Sequence, residues 1–506
     1  MGVDLGMGQP MGHVLRQCLI ALGLAERIGL DVRDRHVVYY TSMLAWVGCH
    51  VDAYEQAKWF GDDLALKADF RRVDLSGPTA QRLFVLRHLG SGESALRRVG
   101  VGIEFARGGG VQAATDMIRN HWRAADGLAE RLGLGAQVRD SVEQTFERWD
   151  GHGIPKGAAG PDILPTSQIV NLADVVEVFH RAGGTASAVD VARQRSGTQF
   201  APDLVDLFCQ EAPALFADLT DPINWNAVLD AEPAPWVWLS EQECVAALEA
   251  VADFVDLKSP YTIGHSSAVA DLAEATARLH GFSEVEAQTV RRAGLVHDLG
   301  RLGVPNTIWD KREALTEVEV ERVRMHPYLT ERMLAYSDVL APLGAIAAQH
   351  HERLDGSGYP RGLTGDALSM AGQILAVADT YRAWLEPRPH RPAADAGEVA
   401  TRLRREARGG RLDGGVVSDV LRASGHQVGT RREWPAGLTA REVQVLQRLA
   451  RGLSNRQIAD DLMISRKTVS NHIEHIYTKI GVSNRALASL FASSHGLMSS
   501  VPRDSI

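Results

Sequence analysis

Seven histidine and aspartate residues between positions 265 and 379 form a candidate set of metal ligands in this 506-residue chain. Two adjacent pairs among them end the apolar helix patterns AGLVHD and AIAAQHH, where burial of unpaired polar groups would cost free energy. A metal ion removes that cost, because imidazole and carboxylate groups donate lone pairs to it. The mixed N/O set suits Fe, Mn or Zn better than Mg or Ca. Its members are His265, His297, Asp298, His326, His350, His351 and Asp379.

Two motifs within this set resemble a known family. HDLGRLGVPN (297–306) resembles the HD motif of metal-dependent phosphohydrolases. HHERLDGSGYPRGL (350–363) resembles the signature of the HD-GYP subfamily, which hydrolyses the bacterial second messenger cyclic di-GMP. The resemblance covers roughly residues 245–425 and implies that all seven side chains are metal ligands. Asp298 would bridge two divalent transition metal ions, Fe or Mn, which activate water and neutralise charge on phosphate oxygens.

The resemblance also implies a reaction site beside the metals. Asp298 and Arg301 would be catalytic, and the substrate would contact Arg301, Gly358, Tyr359 and Pro360. Gly356 and Gly358 allow a tight backbone turn, and Pro360 stiffens it. Tyr359 faces a substrate or partner, or it packs within the fold.

Three positions depart from the family pattern. Arg301 replaces the family's lysine, which keeps the positive charge but changes the geometry of a phosphate contact. Tyr261 stands where some members place a third-metal glutamate, so we expect two metals. Arg382 replaces a second aspartate after Asp379. These departures leave two alternatives to cyclic dinucleotide hydrolysis: sensing of a nucleotide or metal without turnover, or hydrolysis of another nucleotide.

An internal repeat precedes this region. ERWDGHGIPKG (147–157) matches ERLDGSGYPRG (352–362) at an offset of 205 residues, and the same offset places His121 on His326 and Asp174 on Asp379. An ungapped register that keeps these polar anchors indicates a duplication. Upstream the register needs insertions, with 39–52 answering 291–303.

The earlier copy lacks most of the candidate ligands. His13 plausibly matches His265, but the HD pair falls near Gly48 and Cys49, and the double histidine becomes Thr145–Phe146. Without a bridging carboxylate and three of the imidazoles, a binuclear site cannot assemble. We therefore expect copy one to be a degenerate HD-like domain with a structural or sensing role.

The elements that carry these residues have helical patterns. FSEVEAQTVRRAGLVHDLG begins with the capping box Ser283–Glu286, and LTEVEVERVRMH begins with Thr316–Glu319. Segments with period-two alternation are scarce. The sequence predicts an all-α fold in which tandem HD-type bundles, 1–225 and 240–425, are joined by a linker within 220–238.

The C-terminal region has a different organisation. Residues 437–492 contain three successive N-cap signals, at Thr439, Ser454 and Ser465, which predict short helices joined by tight turns. Eight basic side chains outnumber four acidic ones there, although the chain has a net charge of −9. This local excess is the polarity that contact with a DNA backbone needs, and the pattern suggests a helix-turn-helix.

The elements LTxRE, SNxxIA, ISxxTV and KxGVxxR closely resemble the LuxR-type (GerE) DNA-binding domain. The resemblance implies a domain over 436–500, a recognition helix at about 466–480 and a dimerising last helix at about 484–494. Bases of double-stranded DNA would be read by Ser470, Asn471 and Glu474. The helix would be positioned, mostly on phosphates, by Lys467, Thr468, His472 and Lys479. We assign Val469, Ile473, Ile476 and Ile480 to the domain core.

Composition limits the remaining classes. The four scattered cysteines give no disulfide framework, and no apolar run approaches the length of a membrane span. We therefore expect a cytoplasmic, homodimeric bacterial regulator that does not associate with a membrane. It would hydrolyse a cyclic dinucleotide, most simply cyclic di-GMP, and bind DNA.

Overall fold

In the computed structural model, helices account for all of the regular secondary structure of the described residues. These are residues 1–426, except 76, 108–109, 218, 220–224, 235 and 237, together with 434–495 and 497. Only isolated bridges, and no β-sheet, occur among them, which confirms the predicted all-α class. No helix in these ranges is long and apolar enough to cross a bilayer.

Two compact units make up the chain, Met1–His426 and Gln427–Ile506. Both copies of the repeat lie in the first unit, while the boundaries predicted within it stay predictions. The predicted linker 220–238 falls partly outside the described residues. A short helix, Trp225–Asp230, lies in its described part, and Val228 of that helix is buried against copy one.

The described part of copy one contains eleven helices, α1–α11, of which the long α10 is interrupted at Gly183 and Gly184, and α12 follows in the linker. In chain order they are α1 Gly2–Gly6, α2 His13–Arg27, α3 Val32–Leu44, α4 Ala53–Phe60, α5 Asp63–Phe70, α6 Pro78–His88, α7 Ala95–Arg107, α8 Gly110–Arg131, α9 Ala136–Glu143, α10 Pro165–Gln194, α11 Pro202–Ala217 and α12 Trp225–Asp230.

Copy two contains ten helices, and a 3₁₀ turn over Leu299–Gly303 follows the third of them. They are α13 Glu241–Asp256, α14 His265–His280, α15 Glu284–Val296, α16 Asn306–Trp309, α17 Glu317–Arg324, α18 His326–Leu334, α19 Ala341–Ala347, α20 Met370–Leu385, α21 Ala396–Arg408 and α22 Gly414–Ala423. The predicted capping boxes at Ser283 and Thr316 are both present.

The second unit has four helices in its described part. They are α23 Ala440–Ala450, α24 Asn455–Leu462, α25 Arg466–Ile480 and α26 Arg485–Ser494. All three predicted N-caps accept backbone hydrogen bonds, at Thr439, Ser454 and Ser465. Met463 ends α24 in the left-handed conformation, which makes the tight turn between the helices of the pair.

Equivalent helices make the duplication visible in three dimensions. Helices α2 and α14 each begin at a histidine that follows a left-handed glycine, Gly12 or Gly264. Helices α3 and α15 each have 13 residues and begin after a capping acidic or hydroxyl side chain. Copy one then contains an insertion that includes helices α4–α7. At the corresponding place copy two has only the short helices α16 and α17.

Candidate metal centre and candidate DNA-reading helix

Five elements of copy two bring the seven predicted ligands together. His265 opens α14, His297 and Asp298 follow α15, His326 opens α18, the double histidine follows α19, and Asp379 lies in α20. The groups form overlapping clusters in which ligand atoms lie within 4.8 Å of one another. The clusters are His265–His297–Asp379, His297–Asp298–His350 and His326–His350–His351.

Asp298 stands between two groups of histidines and directs one carboxylate oxygen toward each. Oδ2 lies 3.9 Å from Nε2 of His265 and 3.7 Å from Nε2 of His297. Oδ1 lies 3.5 Å from Nε2 of His326 and 3.8 Å from Nε2 of His350. This is the arrangement of a carboxylate that bridges two cations.

Three of the imidazoles are fixed in the same way. Nδ1 of His297, His326 and His350 donates to the carbonyl oxygen three residues earlier in the chain. That hydrogen bond leaves the lone pair on Nε2, and a carbonyl oxygen that accepts from Nδ1 is a usual way of orienting a metal-binding histidine. Nε2 of His297 is buried and has no hydrogen-bond partner in the described part of the chain. An orphaned buried acceptor at this point fits a metal ion.

The electrostatics of the cluster also suit a cation. Burial lowers the pKa of His326 to about 4 and that of His350 to about 3, so both are neutral near pH 7. Burial opposes the charging of Asp298, but its electrostatic interactions with His297 and Arg301 outweigh burial and hold the pKa of Asp298 well below the usual range. Neutral His326 and His350 beside an ionised Asp298 are in the donor state that divalent transition metals require.

Arg301 lies directly against the carboxylate of Asp298. Its Nη1 donates to Oδ2 of Asp298 at 2.9 Å. The guanidinium lies 4.1 Å from the ring centroid of Trp309, and the Nε1 atom of Trp309 donates to the Arg301 carbonyl oxygen at 3.3 Å. The guanidinium of Arg301 is therefore held at the edge of the candidate metal cluster.

The loop over residues 352–362, which contains the sequence GYP, lies beside the same cluster. We call it the GYP loop. Gly356 adopts a left-handed φ of 78°, and a Cβ at Gly358 would lie 2.4 Å from the backbone nitrogen of Arg353, so both glycines are required as expected. Glu352 closes the loop by accepting from the backbone N–H of Arg361 at 2.7 Å. The ring of Tyr359 lies 4.7 Å from that of His351, beside the candidate ligands.

In copy one, charged side chains fill the space that corresponds to the candidate metal cluster of copy two. His13 lies 2.9 Å from Asp174 and also contacts Glu177, and Arg71 donates to both oxygens of Asp174 at 3.0 Å. Arg71 comes from the insertion and lies over the ring of Trp46, 4.7 Å from its centroid. The copy-one interior thus satisfies its buried carboxylates with a guanidinium and an imidazole.

The position of the missing HD pair in copy one differs from the expected one. Ala45 is the C-cap residue of α3, as His297 is the C-cap residue of α15. Trp46 therefore corresponds to Asp298. A Cβ at Gly48 would lie 2.0 Å from the His121 carbonyl oxygen, as one at Gly300 would lie 1.9 Å from that of His326. The expected placement of the HD pair at Gly48–Cys49 is therefore wrong by three residues, because Gly48 is the counterpart of Gly300 and not of His297.

Sequence reasoning missed Glu386, which supports the metal cluster from outside. Its carboxylate lies 2.9 Å from Nδ1 of His265. Burial disfavours protonated His265, but the hydrogen bonds to Asp379 and Glu386 outweigh it and raise its pKa to about 9. The available signal was the spacing of seven residues, or two helical turns, between Asp379 and Glu386.

The C-terminal unit presents helix α25 as expected. Val469 and Ile476 are buried, and Ile473 and Ile480 pack on the same core, which confirms the four predicted core positions. Three of the side chains that we predict to contact DNA lie on the exposed face of α25. They are Lys467, Asn471 and Glu474. Thr468 is also exposed, and Ser470 and His472 are partly buried.

Lys479 is held differently from the other basic candidates. Its Nζ donates to Glu442 at 2.8 Å and to the carbonyl oxygen of Gly437 at 3.1 Å. Glu442 is the capping-box residue of α23. In this arrangement the amine stabilises the start of α23, and a phosphate would have to compete with Glu442 for it.

Two protein families match the chain in separate segments. The HD domain family matches residues 249–416. Bacterial regulatory proteins of the luxR family match residues 436–492. The first segment contains all seven candidate ligands, and the second contains α23–α25 and most of α26.

Curated relatives extend the match over most of the chain. The 3′3′-cGAMP-specific phosphodiesterase 3 of Vibrio cholerae is 32% identical over 395 residues, which are 77% of this chain and 85% of that protein. The cyclic di-GMP phosphodiesterase response regulator RpfG of Xanthomonas campestris is 36% identical over 155 residues, 30% of this chain and 40% of its own length. A crystal structure of the cyclic GMP-AMP-specific phosphodiesterase V-cGAP3 from Vibrio cholerae aligns with a TM-score of 0.56 and 25% identity, over 84% of this chain and 95% of that one.

Proposed function

Because this chain belongs to the HD-domain family of cyclic dinucleotide phosphodiesterases, we propose that copy two hydrolyses a cyclic dinucleotide and that the LuxR-type unit connects this activity to DNA. The observation that carries the proposal is Asp298, whose two oxygens face different histidine groups. That geometry supports a phosphodiesterase with a binuclear centre over a protein that binds a single structural ion.

The seven clustered side chains would hold two divalent transition metal ions, with Fe or Mn preferred for the mixed N/O donor set. His265, His297 and Asp379 would hold one ion, the triad His326–His350–His351 would hold the other, and Asp298 would contact both. Bound metals of this kind lower the pKa of water and neutralise charge on phosphate oxygens.

The protein groups around the cluster would bind and orient the substrate. Arg301 carries a permanent positive charge next to Asp298 and would bind a phosphate oxygen with guanidinium nitrogens that do not contact Asp298. Gly358, Tyr359 and Pro360 lie in the loop beside His351 and would contact the nucleotide. Glu386 would hold a proton on Nδ1 of His265 and so keep Nε2 directed at the metals.

Two nucleotides are candidates for the substrate. Cyclic di-GMP is the nucleotide that the GYP signature favours, and 3′3′-cGAMP is the substrate named for the relative that matches 77% of this chain. Both have two phosphodiesters in a ring, so the metal cluster serves either one. The bases would be distinguished outside the cluster.

A second candidate function is nucleotide or metal sensing without turnover. The observation that favours it is the ion pair between Arg301 and Oδ2 of Asp298, at 2.9 Å. A guanidinium that stays on this oxygen would compete with one metal. The clustered imidazoles favour turnover, and the assay below separates the two functions.

The test combines metal analysis of the purified full chain with hydrolysis assays on cyclic di-GMP and 3′3′-cGAMP. We expect about two metal ions per chain and hydrolysis of at least one substrate. The double variant His297→Ala/Asp298→Ala should lose both properties, while the copy-one variant Asp174→Asn should keep both. Bound metal with no hydrolysis of either nucleotide would remove the enzyme and leave the sensor.

For the LuxR-type unit we propose binding to double-stranded DNA as a homodimer, and therefore a cytoplasmic location. The exposed face of α25 would enter the major groove, with Lys467 on a phosphate and Asn471 on a base edge. Leu487 on α26 is 44% exposed and would lie in the dimer contact. This proposal depends on the second unit alone.

A mobility-shift assay on duplex DNA tests that surface. Lys467→Ala should weaken binding to all sequences and lower the salt slope by about one unit, because one phosphate contact is lost. Lys479→Ala is the matched comparison. Because Lys479 is paired with Glu442, we expect a smaller change in slope. Unchanged binding by Lys467→Ala and Asn471→Ala would show that α25 does not read DNA.

A further inference from the structure

A carboxylate from copy one is buried against the catalytic half of the first unit. Asp63, the first residue of α5 in the insertion, is fully buried. Its Oδ1 accepts a hydrogen bond of 2.8 Å from the backbone N–H of Asn306 in copy two. Its Oδ2 accepts from Lys67 at 2.9 Å. The insertion therefore reaches the chain segment that follows the HD motif.

Asp63 also faces a buried cation of copy two. Nζ of Lys258 lies 3.6 Å from Oδ2 of Asp63, and the Lys258 side chain is 3% exposed. That ammonium makes no hydrogen bond to the described residues. A buried charge is tolerated only when it is paired, so the two copies depend on each other at this point.

From Asn306 the contact continues to Arg301 through one short helix. Asn306 begins α16, and Trp309 ends it. Trp309 contacts Arg301 on one side, with the guanidinium 4.1 Å from its centroid, and His326 on another, with the ring centroids 5.4 Å apart. Helix α4 of the insertion packs on α16 as well. The insertion thus supports the element that backs the metal cluster.

We propose that Asp63 of the degenerate copy is a positioning residue for Arg301, acting through Asn306 and Trp309 of α16. This inference rests on the proposed function, in which Arg301 binds a substrate phosphate. Asp63 does not contact the metal cluster in this role. It fixes the backbone that presents the guanidinium, so its loss affects substrate binding more than the chemical step.

The kinetic test is a double-mutant cycle in the full-length protein with 3′3′-cGAMP and cyclic di-GMP as probes. Asp63→Ala should raise KM about tenfold and change kcat less than about threefold, because a small misplacement of a substrate-positioning group costs binding. In an Arg301→Ala background the same substitution should change KM less than about twofold, because coupled residues are not additive. An equal increase in both backgrounds would overturn the proposal.

A structural readout keeps the test independent of activity and of a failure to fold. In Asp63→Asn, which keeps an acceptor but removes the charge, hydrogen exchange of the amides at 299–310 should be at least about tenfold faster than in the wild-type protein. Asp69→Asn is the matched control, because Asp69 lies on the same helix and contacts His88 within the insertion. Unchanged exchange in Asp63→Asn, or equal acceleration in the control, would refute the coupling. If the wild-type protein hydrolyses neither nucleotide, the proposed function fails while this measurement still decides the coupling.

Discussion

The two copies of the repeat share a loop and differ in what fills the space beneath it. In both copies a glutamate closes the loop by accepting a backbone hydrogen bond of 2.7 Å, Glu147 from Lys156 and Glu352 from Arg361. In both, a Cβ on the loop glycine would lie 2.4 Å from a backbone nitrogen. Below the loop, copy two has five imidazoles and two carboxylates, and copy one has Arg71 against Asp174.

This difference separates residues that maintain the fold from residues that perform the reaction. Loop glycines, the closing glutamate and the left-handed cap before the first histidine occur in both copies, so they serve the helical bundle. Asp298 and the double histidine occur in copy two alone. Once the imidazoles are absent, the buried aspartate needs another positive partner, and the guanidinium of Arg71 supplies it.

The strongest way to break the comparison is to remove one aspartate from each copy. Asp298→Ala should lower kcat/KM at least about a thousandfold, because the carboxylate between two cations supports several kcal/mol of transition-state stabilisation. Asp174→Asn should stay within about threefold of wild type, since the described residues of copy one form no cluster of candidate metal ligands. Steady-state hydrolysis of a cyclic dinucleotide measures both. A comparable loss in Asp174→Asn would mean that copy one takes part in the reaction.

The next largest effect concerns the guanidinium in copy one. Arg71→Met should reduce the free energy of unfolding by about 4 kcal/mol, because it leaves Asp174 buried with one positive partner fewer. Metal content should not change, since none of the seven clustered residues contacts Arg71. Urea denaturation and metal analysis of the same sample provide the two measurements. Loss of metal in this variant would contradict the separation of the copies.

A pH dependence of stability should identify the charged network of copy one. Burial disfavours protonated His13, but hydrogen bonds to Asp174 and Glu177 outweigh it and raise its pKa from 6.5 to about 9. The folded value exceeds the unfolded one, so the stabilisation is complete below pH 6.5 and is lost as pH rises through about 9. We expect a loss of about 3 kcal/mol over that window. Urea denaturation across it should show no such His13-dependent decline in His13→Asn, and identical pH profiles would disprove the network.

The smallest effect sharpens the shared role of the loop. Gly153→Ala and Gly358→Ala should each cost about 2 kcal/mol, because the added methyl meets backbone in both copies. Activity should fall only in Gly358→Ala, whose neighbour Tyr359 lies beside His351. Thermal unfolding followed by hydrolysis assays distinguishes the two effects. Unequal destabilisation would indicate that the loops are not equivalent in the fold.

Much of this organisation could be predicted from the sequence. The all-α class and the capping boxes follow from local patterns, and the clustering of the seven ligand candidates follows from the resemblance to the HD-GYP family. The placement of Ala45 and Trp46 could also be predicted, because the match of 39–52 with 291–303 begins in the register that puts them on His297 and Asp298. The contacts of Arg71 and Asp63 could not be predicted. Both residues lie in an insertion without a counterpart in copy two, and their partners are distant in the sequence.

The ion pair between Asp63 and Lys258 has a practical consequence for protein engineering. A fragment made by truncating the chain before α13 would still contain every candidate metal ligand. It would lack Asp63, which faces Lys258 and accepts from the backbone N–H of Asn306 across the two copies. A fragment cut at this boundary therefore starts without the contacts that copy one gives to the segment after the HD motif.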